Sequence, residues 1–354
     1  MKIRVMLNNL INTYCIINLI IIIFFFSIKM FNLEELYLEC PFSTIDCNNI
    51  SFGKLLGEGI NACVYCIELN NQKYAAKVYK DMECYEDIKY ELDVAKRLED
   101  TKYSVHVHGV GYINHEHSID ILLIMEYLDS DGDLYDYIQN VAGWTPSYLI
   151  NGKMYPPQKN DFIYYNPDDN IYWSYLLPEP EKIKITRSII EGVQELHSKG
   201  IIHGDIKTNN MVLQYKSKEQ TIKLIDFGVS YFSTTDECID IYYKCGTVGY
   251  RAPEQDDYRM CYLSDIYSMG ITIIELWNGD IWINKDDFKG CRSEALSGLR
   301  KIEKNHTQFG KLLRRAISLH PKKRITSVKF LQKFNEIFNN DHKYRKCPQD
   351  QMLE

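Results

Sequence analysis

The sequence predicts an α+β chain of two lobes, a small β-rich one over residues 51–127 and a large, mainly helical one over 128–338. Three observations carry that reading. Short runs rich in Val, Ile and Tyr, separated by turn signals, fill most of 51–127 around a single stretch with helical period. Past the polar break Asp129-Ser130-Asp131-Gly132-Asp133, apolar residues recur mainly at helical spacing. With 354 residues, 45% apolar and 25% charged, the chain can bury a sizeable core and has an ordinary globular composition.

In the first lobe, Ser51–Leu56 is strand-like and runs into Gly57-Glu58-Gly59-Ile60-Asn61-Ala62-Cys63-Val64. Val64–Leu69 follows, and an Asn70-Asn71 turn leads to Lys73–Tyr79, giving three antiparallel strands. A helix is expected over Glu83–Glu99, where Ile88, Leu92, Ala95 and Leu98 mark the inner face and Glu91 lies in phase with them. Lys77, flanked by Ala76 and Val78 on a buried strand, needs a counter-charge. Glu91 is the acid on the inner face; Glu83, Glu86 and Asp87 point elsewhere. Strands around Val105–Ile113 and Ile119–Tyr127 complete a five-stranded sheet.

Residues 141–180 interrupt the second lobe with six Tyr, two Trp and little helical period, and read as an ordered or semi-ordered insertion rather than a Gly/Ser linker. Helical period resumes at Glu181 through Ile185, Ile189, Val193 and Leu196. A last helix is expected near Ser327–Phe338, and 339–354 reads as a polar tail.

A net charge of −7 offers no broad basic surface, which argues against nucleic acid as a partner. Eleven Cys without regular spacing read as reduced thiols rather than a disulfide scaffold. Cys63 and Cys66 form one C-x-x-C pair, but no second pair accompanies it, so an ordinary strand explains it better than zinc. His106/His108 and His115/His117 fall on one expected hairpin; lacking Cys or acidic co-ligands, they read as a polar face.

The densest run of chemistry-bearing residues is His203–Asn210, HGDIKTNN, followed sixteen residues later by Asp226-Phe227-Gly228. Its two acids, Lys and Asn suit phosphoryl transfer: a carboxylate to orient a hydroxyl, a cation to offset charge, and hard oxygens for Mg²⁺. Gly57–Val64 has the form G-x-G-x-x-A-x-V, and by itself a hairpin turn with two Gly would explain it. Gly246-Thr247-Val248-Gly249-Tyr250-Arg251-Ala252-Pro253-Glu254 and Asp265-Ile266-Tyr267-Ser268-Met269-Gly270 come next. In this order the motifs resemble the eukaryotic-type protein kinase family, serine/threonine type, over about residues 51–338.

The resemblance implies a bilobal protein kinase fold that uses ATP and Mg²⁺ and acts on protein Ser or Thr hydroxyls. Asp205 would be the catalytic base, Lys207 would neutralise the γ-phosphate, and Asn210 and Asp226 would hold the metal. Nucleotide contacts would come from Leu56, Gly57, Glu58, Gly59, Ile60, Asn61, Ala62, Cys63 and Val64, and from Ala75, Glu126, Leu128 and Val212, with Met125 as gatekeeper. Lys77 would hold the α- and β-phosphates and Glu91 would hold Lys77. His203 would pack beneath Phe227, the Thr247 hydroxyl would bond both Asp205 and Lys207, Glu254 would pair with Arg324, and Asp265 would anchor the catalytic-loop backbone.

Two departures stand out. Ala62 replaces the usual third Gly, and Gly204 stands where many kinases carry an Arg that pairs with a phosphorylated activation loop. Activity is therefore expected not to require phosphorylation within 229–245, despite Ser230, Ser233, Thr234, Thr235, Tyr242 and Tyr243. Asp129, Asp131 and Asp133 suggest a preference for basic residues beside the phosphosite; a solvated acidic turn accounts for them equally well. A pseudokinase scaffold is the rival class, opposed by the presence of Lys77, Glu91, Asp205, Asn210 and Asp226.

Residues 1–30 read as a hydrophobic N-terminal segment and 31–50 as a linker. Leu10–Ile28 holds no charge and is just long enough to span a bilayer, which offers a membrane anchor. Lys2 and Arg4 precede it and Lys29 alone follows nearby, so positive-inside logic would carry the kinase-like region away from cytosolic ATP. A signal peptide lacks its small-residue cleavage site, and a start at Met30 would make the stretch an upstream extension. Localisation is membrane-associated on the first reading and cytoplasmic on the last.

Overall fold

Alternate residues along Ile119–Glu126 take opposite faces of a sheet, and both faces are covered. Ile121 and Leu123 pack with Ala62, Tyr79, Ile88 and Leu92, whereas Leu122 and Ile124 pack with Cys47, Ile67 and Ala76. The structure is a computed structural model, and it describes residues 43–48, 50–59, 62–79, 85–114, 119–130, 132–141, 144–150, 153–155, 163–166, 171–175, 177–216, 219–279 and 288–339.

The first lobe holds β1 (Ser43–Asp46), β2 (Ser51–Glu58), β3 (Ala62–Leu69), β4 (Gln72–Tyr79), α1 (Tyr85–Arg97), β5 (Val107–Asn114) and β6 (Ile119–Glu126). Its strands form one sheet in the order β1-β5-β6-β4-β3-β2. Six strands replace the five expected, because Ser43–Asp46, read as linker, pairs in parallel with β5. Cys47 fixes that edge: its N–H donates to Tyr112 O at 3.1 Å. A Cβ on Gly111 would meet Cys47 Sγ at 2.5 Å, so only glycine lets the two strands close here.

The second lobe begins earlier than the polar break, since residues 97–106 pack with the unit that resumes at Leu128. Glu195 accepts from the N–H groups of Lys102 and Tyr103, at 3.0 and 2.9 Å, and Tyr103 O accepts from Leu224 N–H at 2.7 Å. This lobe contains α2 (Glu179–Ser198), the antiparallel pair β11 (Ile201–Ile202) and β14 (Tyr231–Phe232), the antiparallel hairpin β12 (Met211–Lys216) and β13 (Glu219–Leu224), α3 (Tyr262–Asn278), α4 (Phe288–Asn305), α5 (Thr307–Ala316) and α6 (Ser327–Asn339). Ile185, Ile189, Val193 and Leu196 of α2 are buried as their spacing predicts. Every residue from Ser264 to Asn278 is buried, so α3 is enclosed on all sides and acts as the lobe's central post.

The Tyr-rich insertion does carry structure. Strands β7 (Trp144–Ile150), β8 (Lys153–Tyr155), β9 (Ile163–Asn166) and β10 (Ile171–Tyr175) form an antiparallel sheet in the order β8-β7-β10-β9. α2 starts at Glu179, so its first residues fall inside the expected insertion. The apolar stretch Leu10–Ile28, Met30 and residues 340–354 of the tail lie outside the described residues, while Asn339 ends α6. Among the described residues no helix is long and apolar enough to cross a membrane.

Candidate active site

Register places one cluster of site residues on a single face of the first-lobe sheet. Lys77 lies opposite Val64 on β3 and Leu123 on β6, and Ala75, two residues earlier, lies opposite Met125. The period of two therefore sets Val64, Ala75, Lys77 and Met125 on one face, together with Tyr79. α1 packs on that face through Ile88 and Leu92. One helical turn along, Glu91 receives Lys77 Nζ at 2.8 Å on both carboxylate oxygens, and the Tyr79 hydroxyl donates to Glu91 Oε2 at 2.7 Å. Tyr79 went unrecognised in the sequence, although its position two residues beyond Lys77 on the same strand was the available signal. Glu86 and Asp87 have side chains outside the described set.

The glycine-rich segment joins β2 to β3, with Gly57 opposite Val64, Glu58 opposite Cys63, and Gly59 N–H donating to Ala62 O at 2.9 Å. A Cβ at Gly57 would meet nothing within 4 Å, and one at Gly59 only Ala62 O at 3.6 Å. The fold thus makes no demand for glycine at either position; what the missing side chains provide is a backbone that another group can approach closely. Leu56 is exposed on β2, and Glu126 ends β6. Ile60 and Asn61 lie outside the described residues.

In the second lobe, β12 and β13 set up a second cluster. Met211 lies opposite Leu224, and Ile225 N–H donates to Asn210 O at 3.0 Å, so the residues before β12 and after β13 emerge side by side. Asn210 and Ile225 are those residues, and Asp226 follows directly. Asn210 turns its Nδ2 onto Asp205, with O at 2.8 Å and Oδ2 at 3.0 Å, which directs its amide oxygen the other way. Asp226 adopts φ +62°, a left-handed conformation that costs a non-glycine residue roughly 1–2 kcal/mol. The lobe resumes at Leu128, and Val212 is buried on β12.

Asp205 is held from several directions. Thr247 N–H donates to its Oδ1 at 2.7 Å, and Lys207 Nζ lies 2.8 Å from its Oδ2. The same Nζ donates to Thr247 Oγ1 at 2.7 Å. The hydroxyl was expected to bond both residues; the structure gives Lys207 to the hydroxyl and Asp205 to the backbone. His203 is fully buried against Phe227, with ring centroids 5.2 Å apart. Its Nδ1 accepts from Asp205 N–H at 3.3 Å, so the ring serves the loop's own backbone.

That loop is anchored from α3. Asp265 accepts from the N–H groups of His203 at 2.8 Å and Gly204 at 2.9 Å, and His197 Nε2 lies 3.0 Å from its Oδ2. Gln255, another residue the sequence did not single out, donates to Gly204 O at 2.9 Å. Arg324 meets Glu254 through two hydrogen bonds, at 2.5 and 2.8 Å, with both residues buried. Asp133 caps the turn Leu134–Asp136 and accepts from Asn209 Nδ2 at 3.0 Å; burial pushes its carboxyl up from the usual carboxylate range. Asp131 lies outside the described residues, as do His115 and His117.

A family model described as the protein kinase domain matches residues 50–336. The chain belongs to the protein kinase family. Its strand-rich unit is the N-lobe and its helical unit the C-lobe of that fold. Among similar proteins, "Probable serine/threonine-protein kinase HSL1" of Saccharomyces cerevisiae is 27% identical over 61% of this chain and 12% of its own length. Serine/threonine-protein kinase kin-29 of Caenorhabditis briggsae is 35% identical over 38% of this chain and 16% of its own length. Serine/threonine-protein kinase 17A of Oryctolagus cuniculus is 27% identical over 66% of this chain and 51% of its own length. The kinase chain thus spans from about an eighth to about half of these relatives.

Membership implies use of ATP with Mg²⁺, and the residues present suit that pair. Backbone unscreened by side chains at Gly57 and Gly59 and a lysine set by a buried acid match polyphosphate, while an amide oxygen and a carboxylate close to the two ends of one hairpin match a hard divalent cation.

Proposed function

We propose that the chain is a serine/threonine protein kinase that transfers the γ-phosphate of ATP to Ser or Thr hydroxyls of protein substrates. The observation that carries this is the fixing of Asp205 by Thr247 N–H, Asn210 Nδ2 and Lys207 Nζ together. A carboxylate held this way cannot turn aside, and it accepts the proton of an incoming hydroxyl as that oxygen attacks phosphorus. Lys207, already shared with Thr247 Oγ1, offsets the charge that spreads over the transferred phosphoryl oxygens. Lys77 holds the α- and β-phosphates, and Glu91 with Tyr79 keeps its Nζ in place. Leu56, Gly57–Val64, Ala75, Glu126, Leu128 and Val212 make the remaining nucleotide contacts. Asn210 and Asp226 would hold Mg²⁺, which when bound would supply positive charge against the phosphates.

Lys207 and Thr247 support Ser and Thr over Tyr as acceptors. Gly204 supports activity that does not wait on phosphorylation of residues 229–245. Asp133 is already engaged as a cap and by Asn209, so a preference for basic residues gains little from it. Incubating the full chain with MgATP and a degenerate peptide library tests the reading. Incorporation into Ser- and Thr-centred peptides, abolished in Asp205→Ala, is expected. ATP binding with no incorporation would instead favour a nucleotide-binding scaffold.

A further inference from the structure

Two cysteines outside this machinery meet across a short strand pair. β15 (Ile239–Asp240) runs antiparallel to β16 (Arg259–Met260), with Ile239 opposite Met260 and Asp240 opposite Arg259. Continuing that register by one residue sets Cys238 opposite Cys261. Ile241 N–H donates to Tyr258 O at 2.9 Å, and because bonded and non-bonded pairs alternate, the cysteines fall at a non-hydrogen-bonded position. Cα atoms there approach to about 4.5 Å, within the span a disulfide bridges. The side chains use this proximity: the Sγ atoms are 2.7 Å apart, and both thiols are free. Cys238 is partly exposed, whereas Cys261 is buried at the N-terminus of α3.

We propose that Cys238 and Cys261 form a reversible disulfide site oxidised by small-molecule disulfides. Deprotonated Cys238 attacks one sulfur of the small disulfide, breaking its S–S bond and releasing one small thiol. Cys261 then loses its proton, attacks the Cys238 sulfur of the mixed disulfide and expels the second small thiol. In sum, two protein thiols become one S–S bond while the small disulfide is reduced to two thiols. The bond ties the segment after Phe232 to the start of α3, the helix whose Asp265 holds the N–H groups of His203 and Gly204. Nothing in this chemistry depends on phosphotransfer.

The surroundings set the rate. Burial, the Cys261 thiol and Glu254 push the Cys238 thiol up to about 12, against the opposing pull of Arg259. Thiolate is therefore scarce at neutral pH, and the reaction accelerates with alkali.

The full chain is incubated with oxidised glutathione between neutral pH and about pH 9, alkylated, digested and mapped by mass spectrometry. A linked pair of peptides containing Cys238 and Cys261 is expected, formed roughly tenfold faster per pH unit and lost on adding dithiothreitol. The oxidised form should melt roughly 5 °C higher than the reduced form. Cys238→Ser should show neither linkage nor shift; being partly exposed, it folds where Cys261→Ala could fail. Glutathione retained on Cys238 without closure, or oxidation of other cysteines while this pair stays reduced, would overturn the proposal.

Discussion

Thr247 holds Asp205 through its backbone, N–H to Oδ1 at 2.7 Å, and leaves its hydroxyl to Lys207. The two functions are separable by mutation. Thr247→Ala keeps the N–H and so the orientation of Asp205, but leaves Lys207 Nζ held by Asp205 Oδ2 alone. We expect kcat to fall about 10- to 100-fold, the scale of a small misplacement at a reacting centre, with KM for ATP little changed. Thr247→Ser should restore most of the loss. Steady-state kinetics on one peptide substrate checks this, and equal loss in Ser and Ala would refute the division of labour.

How much of this arrangement the letters reveal depends on which atoms do the work. Asp205, Asn210, Asp226, Lys77 and Glu91 stood out because the roles proposed for them need particular side chains at particular spacing. The Thr247–Asp205 contact was not, since a backbone N–H has no letter of its own. Gln255 reaches Gly204 O, and His197 reaches Asp265, only through tertiary packing from other helices, and no local period marks them. β1 escaped notice because four residues are too few to show alternation; of the insertion's strands, β8, β9 and β10 are similarly short, and Pro146 interrupts β7.

The Lys77–Glu91 pair predicts graded effects. Glu91→Gln removes the charge that fixes Lys77, and kcat/KM for ATP should drop about 100-fold, or roughly 2.7 kcal/mol. Tyr79→Phe deletes one buried hydrogen bond to the same carboxylate while sparing the ion pair, so stability should fall by about 1 kcal/mol and kcat/KM by less than tenfold. Urea denaturation alongside kinetics separates the two. A Tyr79→Phe defect as large as that of Glu91→Gln would mean that the hydroxyl, rather than the helix, positions the acid.

Gly204 is constrained by more than a missing arginine. It adopts φ +82°, and a Cβ there would meet Val229 O at 2.6 Å and Met260 Sδ at 3.1 Å. Gly204→Ala should therefore cost about 2–4 kcal/mol from left-handed strain and crowding, visible as a lower urea midpoint. Gly204→Arg should destabilise at least as much, without creating a requirement for loop phosphorylation. Phosphatase treatment of the unmodified chain should leave its activity nearly intact; loss of most activity would remove the proposal that loop phosphorylation is dispensable.

The Glu254–Arg324 pair is the place to measure what a buried charge contributes here. Arg324 spends its donors widely, on Glu254, Leu263 O, Ser318 O and Leu319 O, and Ser264 Oγ donates to Glu254 Oε1 at 2.7 Å. Arg324→Ala strands a carboxylate and three carbonyls, and should cost about 3–5 kcal/mol. Glu254→Gln keeps the shape and two acceptor lone pairs, and should cost less. In the double variant the stranded charge is gone but the carbonyls still lack their donor, so it should recover only part of the Arg324→Ala loss. A double-mutant cycle by chemical denaturation reads the difference directly. Full recovery would assign the whole cost to the ion pair, whereas no recovery would place it in the carbonyls that Arg324 gathers at the base of α3.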